Sequence, residues 1–316
     1  MTNQKPKIIF LGTPQFGAIV LERIIKAGLE PDLVITMPDK PVGRKQILTP
    51  PPVKIICQKY KIPFLQTKKV QEFKLEIEKI NPDLIVSAAF GQIFPKEILD
   101  MPRFGGINVH PSLLPKYRGS SPIQGAILKG DKETGVVIIL MDEQLDHGPI
   151  VAESQPIETD NLYFKELTIK LAEIGGDLLI KTIPLWLEGK IKPKPQDDSK
   201  ATFIDKIKKE DGKIDWNKSA EEIERQIRAF TPWPASFTFW QKSDKLIQVK
   251  ILKARVLKSE SNNPAARTLA VSSKEIGIQC GKDILVVEKL QLEGGKELSS
   301  EEFLRGHPGL INQTLI

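Results

Sequence analysis

Five short runs of almost unbroken apolar residues set the terms for this chain. They lie at 7–13, 32–37, 83–90, 105–112 and 135–141. Strands buried on both faces read this way, and parallel sheets bury both faces. Stretches at helical spacing separate them: 15–27, where Phe16, Ile19, Val20 and Ile24 share one side, then 53–60, 70–80 and 121–128. A further strand is expected at 62–65. The alternation predicts an α/β fold, a doubly wound, mostly parallel, Rossmann-like sheet. The first turn, Gly12-Thr-Pro-Gln-Phe-Gly17, lacks the G-x-G-x-x-G pattern, so it is read as a strand–turn–helix corner and not as a dinucleotide loop.

Open sheets of this class keep their chemistry at the carboxyl ends of their strands. The fourth run ends there in Asn108-Val-His110-Pro-Ser112. Asn108, His110 and Ser112 alternate, so on an extended segment they share a face. Pro111 and Pro115 then end the strand. His110 is one of three histidines, with His147 and His307. The polar loop 142–149 follows the fifth run. Read as a crossover to the same sheet edge, it brings Asp146 within reach of His110. His147 beside it is expected to point elsewhere. The turn 91–95 is small enough for a flat ligand to approach the backbone. An amide, an imidazole and a carboxylate together suit acyl transfer to an amine. The donors stabilise the developing oxyanion, and the carboxylate favours a charged imidazole and takes the amine proton. A serine hydrolase is the rival, but Ser112 sits two residues from His110 and on no G-x-S-x-G elbow. The plain structural alternative is a polar strand end satisfied by nearby loops.

At 316 residues the chain exceeds one ordinary core. The expected division is a catalytic domain at 1–189, a polar linker at 190–208 and a second domain at 209–316. In the last, short runs at 236–240, 247–256, 268–271, 276–280 and 284–292 with helices at 220–230 and 299–305 suggest an OB-like β-barrel. The 162–189 stretch reads as helical but interrupted near Gly175-Gly176 and Pro184. No run spans a bilayer, the polar start reads as lacking a signal peptide, and the two cysteines fit neither a disulfide framework nor a metal site. A cytoplasmic monomer without metal is expected. The net charge of +6 is concentrated at the start: residues 1–80 hold 14 Lys and Arg against 7 Asp and Glu. A local basic excess suits a polyanionic partner. Within it, 38–52 reads as a long, Pro-rich loop whose cations Lys40, Arg44 and Lys45 could follow a phosphate backbone.

Asn108-Val-His110, Ser112-Leu-Leu-Pro115, Arg118-Gly119 and Leu145-Asp-x-Gly148 resemble the formyltransferases that use 10-formyltetrahydrofolate. Gly12-Thr-Pro-Gln-Phe16, Pro38-Asp-Lys-Pro-Val-Gly-Arg44, 209–216 and 227–234 resemble the members that act on tRNA. Pro111 stands where those members often carry a small residue. The resemblance runs over essentially the whole chain. It implies formylation of the methionine amine on initiator methionyl-tRNA, with formylation of a sugar nucleotide or purine precursor as the alternative. It implies Asn108, His110 and Asp146 as catalytic residues. It implies a folate site bounded by Phe90, Gly91, Gln92, Ile93, Ser112, Leu113, Leu114, Pro115 and Asp142. It places a tRNA contact at Arg44, in the basic loop that also carries Lys40 and Lys45, and further contacts in the second domain.

Overall fold

The computed structural model describes residues 5–43, 45–261 and 263–316, and the chain falls into two compact units. The expectation for Arg44 lies outside the described residues. Up to Asp205 the chain builds the first unit, apart from short stretches at 123–132 and 159–165 that belong to the second.

The first unit holds a seven-stranded sheet. Its order is Ile150–Glu153, Val137–Leu140, Gly106–His110, Leu84–Ala88, Ile8–Gly12, Leu33–Thr36 and Phe64–Gln66. The last five of these are mutually parallel. Ile8–Gly12, Leu33–Thr36 and Leu84–Ala88 are buried at every position, as continuous apolar runs require. Val137–Leu140 departs from the expected crossover: it runs antiparallel to Gly106–His110, with Val137 opposite His110 and Leu140 opposite Ile107. An apolar run reads the same in either direction, so its sequence does not reveal this.

Two further expectations change. Phe164–Leu187 is one unbroken helix, with Pro184 inside it. Its paired glycines are close-packing points and not breaks: a Cβ at Gly175 would lie 2.7 Å from Val109, and one at Gly176 would lie 2.9 Å from Arg23. The 38–52 segment is a hairpin and not an unstructured loop, with Lys40–Val42 antiparallel to Ile47–Thr49. Its base is tied by Lys54, which donates to both Asp39 carboxylate oxygens at 2.8 Å and to Gln66 at 3.0 Å.

The second unit is an antiparallel half-barrel in the order Ser236–Lys242, Lys245–Leu257, Ile284–Leu292, Glu275–Gln279 and Thr268–Ser272, with Glu297–Ser299 added on Ile284–Leu292. Residues at the end of the described chain bridge its edges. Ile316 exchanges backbone hydrogen bonds with Phe239, while Leu315 and Gln313 bond to Ala266 and Thr268. The core gathers Trp216, Ile227, Trp240, Leu285 and Phe303. Ser219 and Glu222 form a reciprocal cap on the helix Ala220–Phe230. Among the described residues no helix is long and apolar enough to cross a membrane.

Gly17 shows how tightly the first helix, Gln15–Lys26, seats on the sheet. A Cβ there would lie 2.5 Å from the Ala88 carbonyl oxygen, a backbone atom that cannot swing aside. Overpacking of this kind costs about 1–3 kcal/mol, against at most about 1 kcal/mol gained in helix propensity. Gly17→Ala is therefore expected to lower the urea midpoint; a midpoint at or above that of the parent would contradict this packing.

Candidate active site

Asn108 and His110 share one face of Gly106–His110, the strand next to Leu84–Ala88. The carboxylate facing them arrives by an unexpected route. Because Val137–Leu140 is antiparallel, the 141–149 loop departs beside Gly106, where the Met141 N–H donates to the Gly106 carbonyl at 2.7 Å. That is the amino end of the strand, roughly 13 Å from His110 at the usual rise of a strand. The loop doubles back along the strand and sets Asp146 over it. The contact expected from the sequence is present, although the crossover that led to it is not.

Asp146 Oδ1 accepts from Asn108 Nδ2 at 3.4 Å and lies 3.4 Å from His110 Nδ1. Its Oδ2 accepts from the Gly119 N–H at 2.8 Å. His110 is 3% exposed, and its Nε2 lies 3.1 Å from the Tyr117 carbonyl oxygen. A carbonyl only accepts, so Nε2 carries the hydrogen. Burial pushes the Asp146 carboxyl up. The facing His110, the Gly119 N–H and Arg118 outweigh that and hold it below the usual carboxylate range. Asn108 is the half-buried member, and its amide nitrogen has a second hydrogen beyond the one given to Asp146.

The other expected residues divide. Ser112 does not share the face of His110: the strand ends, the Ser112 N–H turns back to the His110 carbonyl, and the fully buried hydroxyl donates to Lys116 O at 2.6 Å. Leu114 packs with Val137 and Ile139, Phe90 packs with Phe94 in the core, and Leu113 and Pro115 are half-buried. Gly91 and Ile93 are exposed. A Cβ at Gly91 would meet nothing within 4 Å, and Ile93 is 64% exposed, so this turn offers open backbone beside an apolar ledge. Gln92 accepts from the Val70 N–H at 3.0 Å, which fixes the turn across the strand ends. Lys40 and Lys45 are exposed on the hairpin with Val42, Ile47 and Leu48.

His147 points away from His110, as expected. Its Nδ1 lies 2.6 Å from Asp142 Oδ2, and its Nε2 lies 3.5 Å from Asp198. Residues to which the sequence reading gave no site role surround the site: Arg118, named only as part of a motif, and Asp198, Thr202 and Gln196, which it missed. Arg118 is 4% exposed and donates to Asp198 at 2.6 Å and to Gln196 Oε1. The stretch read as a linker does not run free. Phe203–Ile204 pairs in parallel with Arg118–Gly119, and Lys194 bridges to Ile150. Polarity alone marked 190–208, and polar contacts within a site leave the same signature as solvation. Among the described residues no cluster of three or more His, Cys, Asp or Glu side chains could hold a metal.

A strand-end Asn–His pair under a loop carboxylate, on a mostly parallel sheet followed by an antiparallel half-barrel, defines a class. The chain matches the family model for formyl transferase at residues 6–183 and the model for the formyl transferase C-terminal domain at 206–308, and it belongs to that family. Among its relatives is a methionyl-tRNA formyltransferase from Halalkalibacterium halodurans, 43% identical over 304 residues, covering 95% of this chain and 94% of that one. Another from Bacillus pumilus is 43% identical over 314 residues, covering 98% of this chain and 97% of that one. The fold is shared with HypX from Aquifex aeolicus at a TM-score of 0.66 and 15% identity, over 98% of this chain and 51% of that chain. This chain thus spans about half of that protein. It is shared also with an N-formyltransferase from Helicobacter canadensis, solved with folinic acid and dTDP-3-aminofucose, at a TM-score of 0.64 and 19% identity, over 93% of this chain and all of that one.

The Asp142 hydrogen bond, opposed by burial and aided by the charges on Asp142 and Asp198, raises the His147 pKa. The stability this gives is complete below the ordinary imidazole value, about 6.5, and is lost as pH rises through the raised folded value. The difference in Tm between wild type and His147→Gln is expected to be largest at and below about pH 6 and to shrink as pH rises through the raised folded value. A difference independent of pH would contradict a charged His147.

Proposed function

We propose that the protein transfers a formyl group from 10-formyltetrahydrofolate to the amino group of methionine on initiator methionyl-tRNA, in the cytoplasm. The observation that carries the chemistry is the Asp146 carboxylate, shared at 3.4 Å by Asn108 and His110 at a strand end. Full-length identity of 43% to methionyl-tRNA formyltransferases supports the substrate, because the likeness includes the hairpin and the second unit.

Bound 10-formyltetrahydrofolate supplies an electrophilic formyl carbon. The open turn at Gly91 and Ile93 suits a flat ring, with Phe90 and Gln92 fixing that turn and Leu113, Leu114 and Pro115 bounding the opposite side. Asp142 keeps acceptor capacity for a ring N–H beside its bond to His147. The chain's residues then divide the work. The free Asn108 N–H donates to the formyl oxygen as negative charge develops there. Asp146 takes the proton that leaves the attacking amine, directly or through water. His110, anchored by Tyr117 O, sets the face of the strand against which that carboxylate is held. One oxyanion donor supplies roughly 3 kcal/mol. Lys40 and Lys45, with Arg44 assigned from sequence alone, meet tRNA phosphates.

Formylation of charged initiator tRNA by the purified protein tests the reading, and folded protein that transfers nothing would refute it. Asn108→Ala is expected to lower kcat about 10²–10³-fold. A loss under threefold would remove Asn108 from the oxyanion role. Replacing Lys40 and Lys45 together with Ala is expected to weaken tRNA binding and to flatten the slope of log K against log salt by roughly 0.7–0.9 per lost phosphate contact. Folate affinity should be unchanged, and an equal loss of folate binding would contradict this division.

A further inference from the structure

Asp146 has a left-handed backbone, with φ of 50°, inside a nine-residue loop. Asp is among the few non-glycine residues that adopt it, as single residues held by hydrogen bonds. Its side chain must also meet Asn108, His110 and the Gly119 N–H together. One side chain outside the loop holds that backbone. The Gln196 amide nitrogen donates to the Asp146 carbonyl at 2.9 Å and to the Gly148 carbonyl at 2.8 Å. The amide cannot be reversed. Its oxygen accepts from Arg118 Nε at 3.1 Å and from Arg118 Nη2 at 2.9 Å, and a guanidinium only donates.

The same segment grips the opposite wall. Tyr117 N–H donates to Thr202 Oγ1 at 2.8 Å, Arg118 N–H to Thr202 O at 2.8 Å and Ser120 N–H to Ile204 O at 3.1 Å. That wall presents the Tyr117 carbonyl to His110 and the Gly119 N–H to Asp146. Residues 194–204 therefore tie both sides of the carboxylate to a common frame.

We propose that Gln196 is a positioning residue for Asp146, its amide fixing the 146–148 backbone so that the carboxylate meets Asn108, His110 and the Gly119 N–H at once. The proposal rests on Asp146 acting as the proton acceptor. Misplacement of a reacting group by about 1 Å can cost 10²-fold in rate.

Gln196→Glu separates the two ends of the side chain. It preserves size and the contact with Arg118. An ionised carboxylate has no hydrogen to give the two carbonyls. The folded variant is expected to keep both KM values within twofold, to lose at least 30-fold in kcat, and to exchange its Gly119 amide hydrogen at least tenfold faster. Gln196→Ala should move kcat and exchange in the same direction, and it decides the matter if the first variant does not fold. A kcat within threefold of wild type with unchanged Gly119 exchange would overturn the proposal. So would a rise in KM at constant kcat, which would make Gln196 a binding residue. Should wild type fail to formylate methionyl-tRNA, the functional reading falls, while Gly119 exchange still tests the placement.

Discussion

One carboxylate joins the parts of this site. Asp146 Oδ1 serves Asn108 and His110 on one strand, and Oδ2 takes the backbone N–H of Gly119 on another segment. Taking an ionised carboxyl out of water costs several kcal/mol unless charge and hydrogen bonds replace the lost solvation. Here that replacement comes from His110, Gly119 and Arg118, and it keeps the group ionised below its ordinary range. An ionised carboxylate beside a buried imidazole is also what an amine-to-formyl transfer needs, because it can take the proton that the nucleophile must lose. On the proposed reading, folding and chemistry draw on the same few contacts.

Those contacts depend on the direction of a strand. Had Val137–Leu140 run parallel, the loop after it would have begun at the carboxyl edge. Because it is antiparallel, the loop begins beside Gly106 and must return along the sheet, a path held at Asp146 and Gly148 by Gln196. Gly148 is required on that path, since a Cβ there would run into the Leu140 carbonyl. The 194–204 segment therefore belongs with the strands that carry Asn108 and His110, which is where the compact division of the chain also puts it.

Much of this was legible in the residues. Continuous apolar runs marked the parallel strands, because burial on both faces leaves no polar alternation. Pro111 marked the strand end, and Asn108, His110 and Asp146 were recognisable as a set. Other features left no readable trace. Strand polarity is absent from a run such as Val136-Val-Ile-Ile-Leu140. The alternation that grouped Ser112 with His110 failed because the chain turns at Pro111. Gly175-Gly176 resembled a helix break because a glycine needed for close packing looks the same as one needed for a turn. The paired strands Lys40–Val42 and Ile47–Thr49, set in the proline-rich 38–52 segment and free of an Asn-Gly signal, read as a loop. Gln196 and Thr202 were hidden in a polar stretch, where only three-dimensional contacts separate a linker from a site wall.

The central claim is that the Asp146 carboxylate takes the proton from the attacking amine. Single-turnover formyl transfer by Asp146→Asn, with enzyme saturating over charged initiator tRNA and 10-formyltetrahydrofolate also saturating, measures that step apart from binding. The account predicts that both substrates still bind and that the transfer rate falls by at least about 10². A transfer rate within a few-fold of wild type would contradict it.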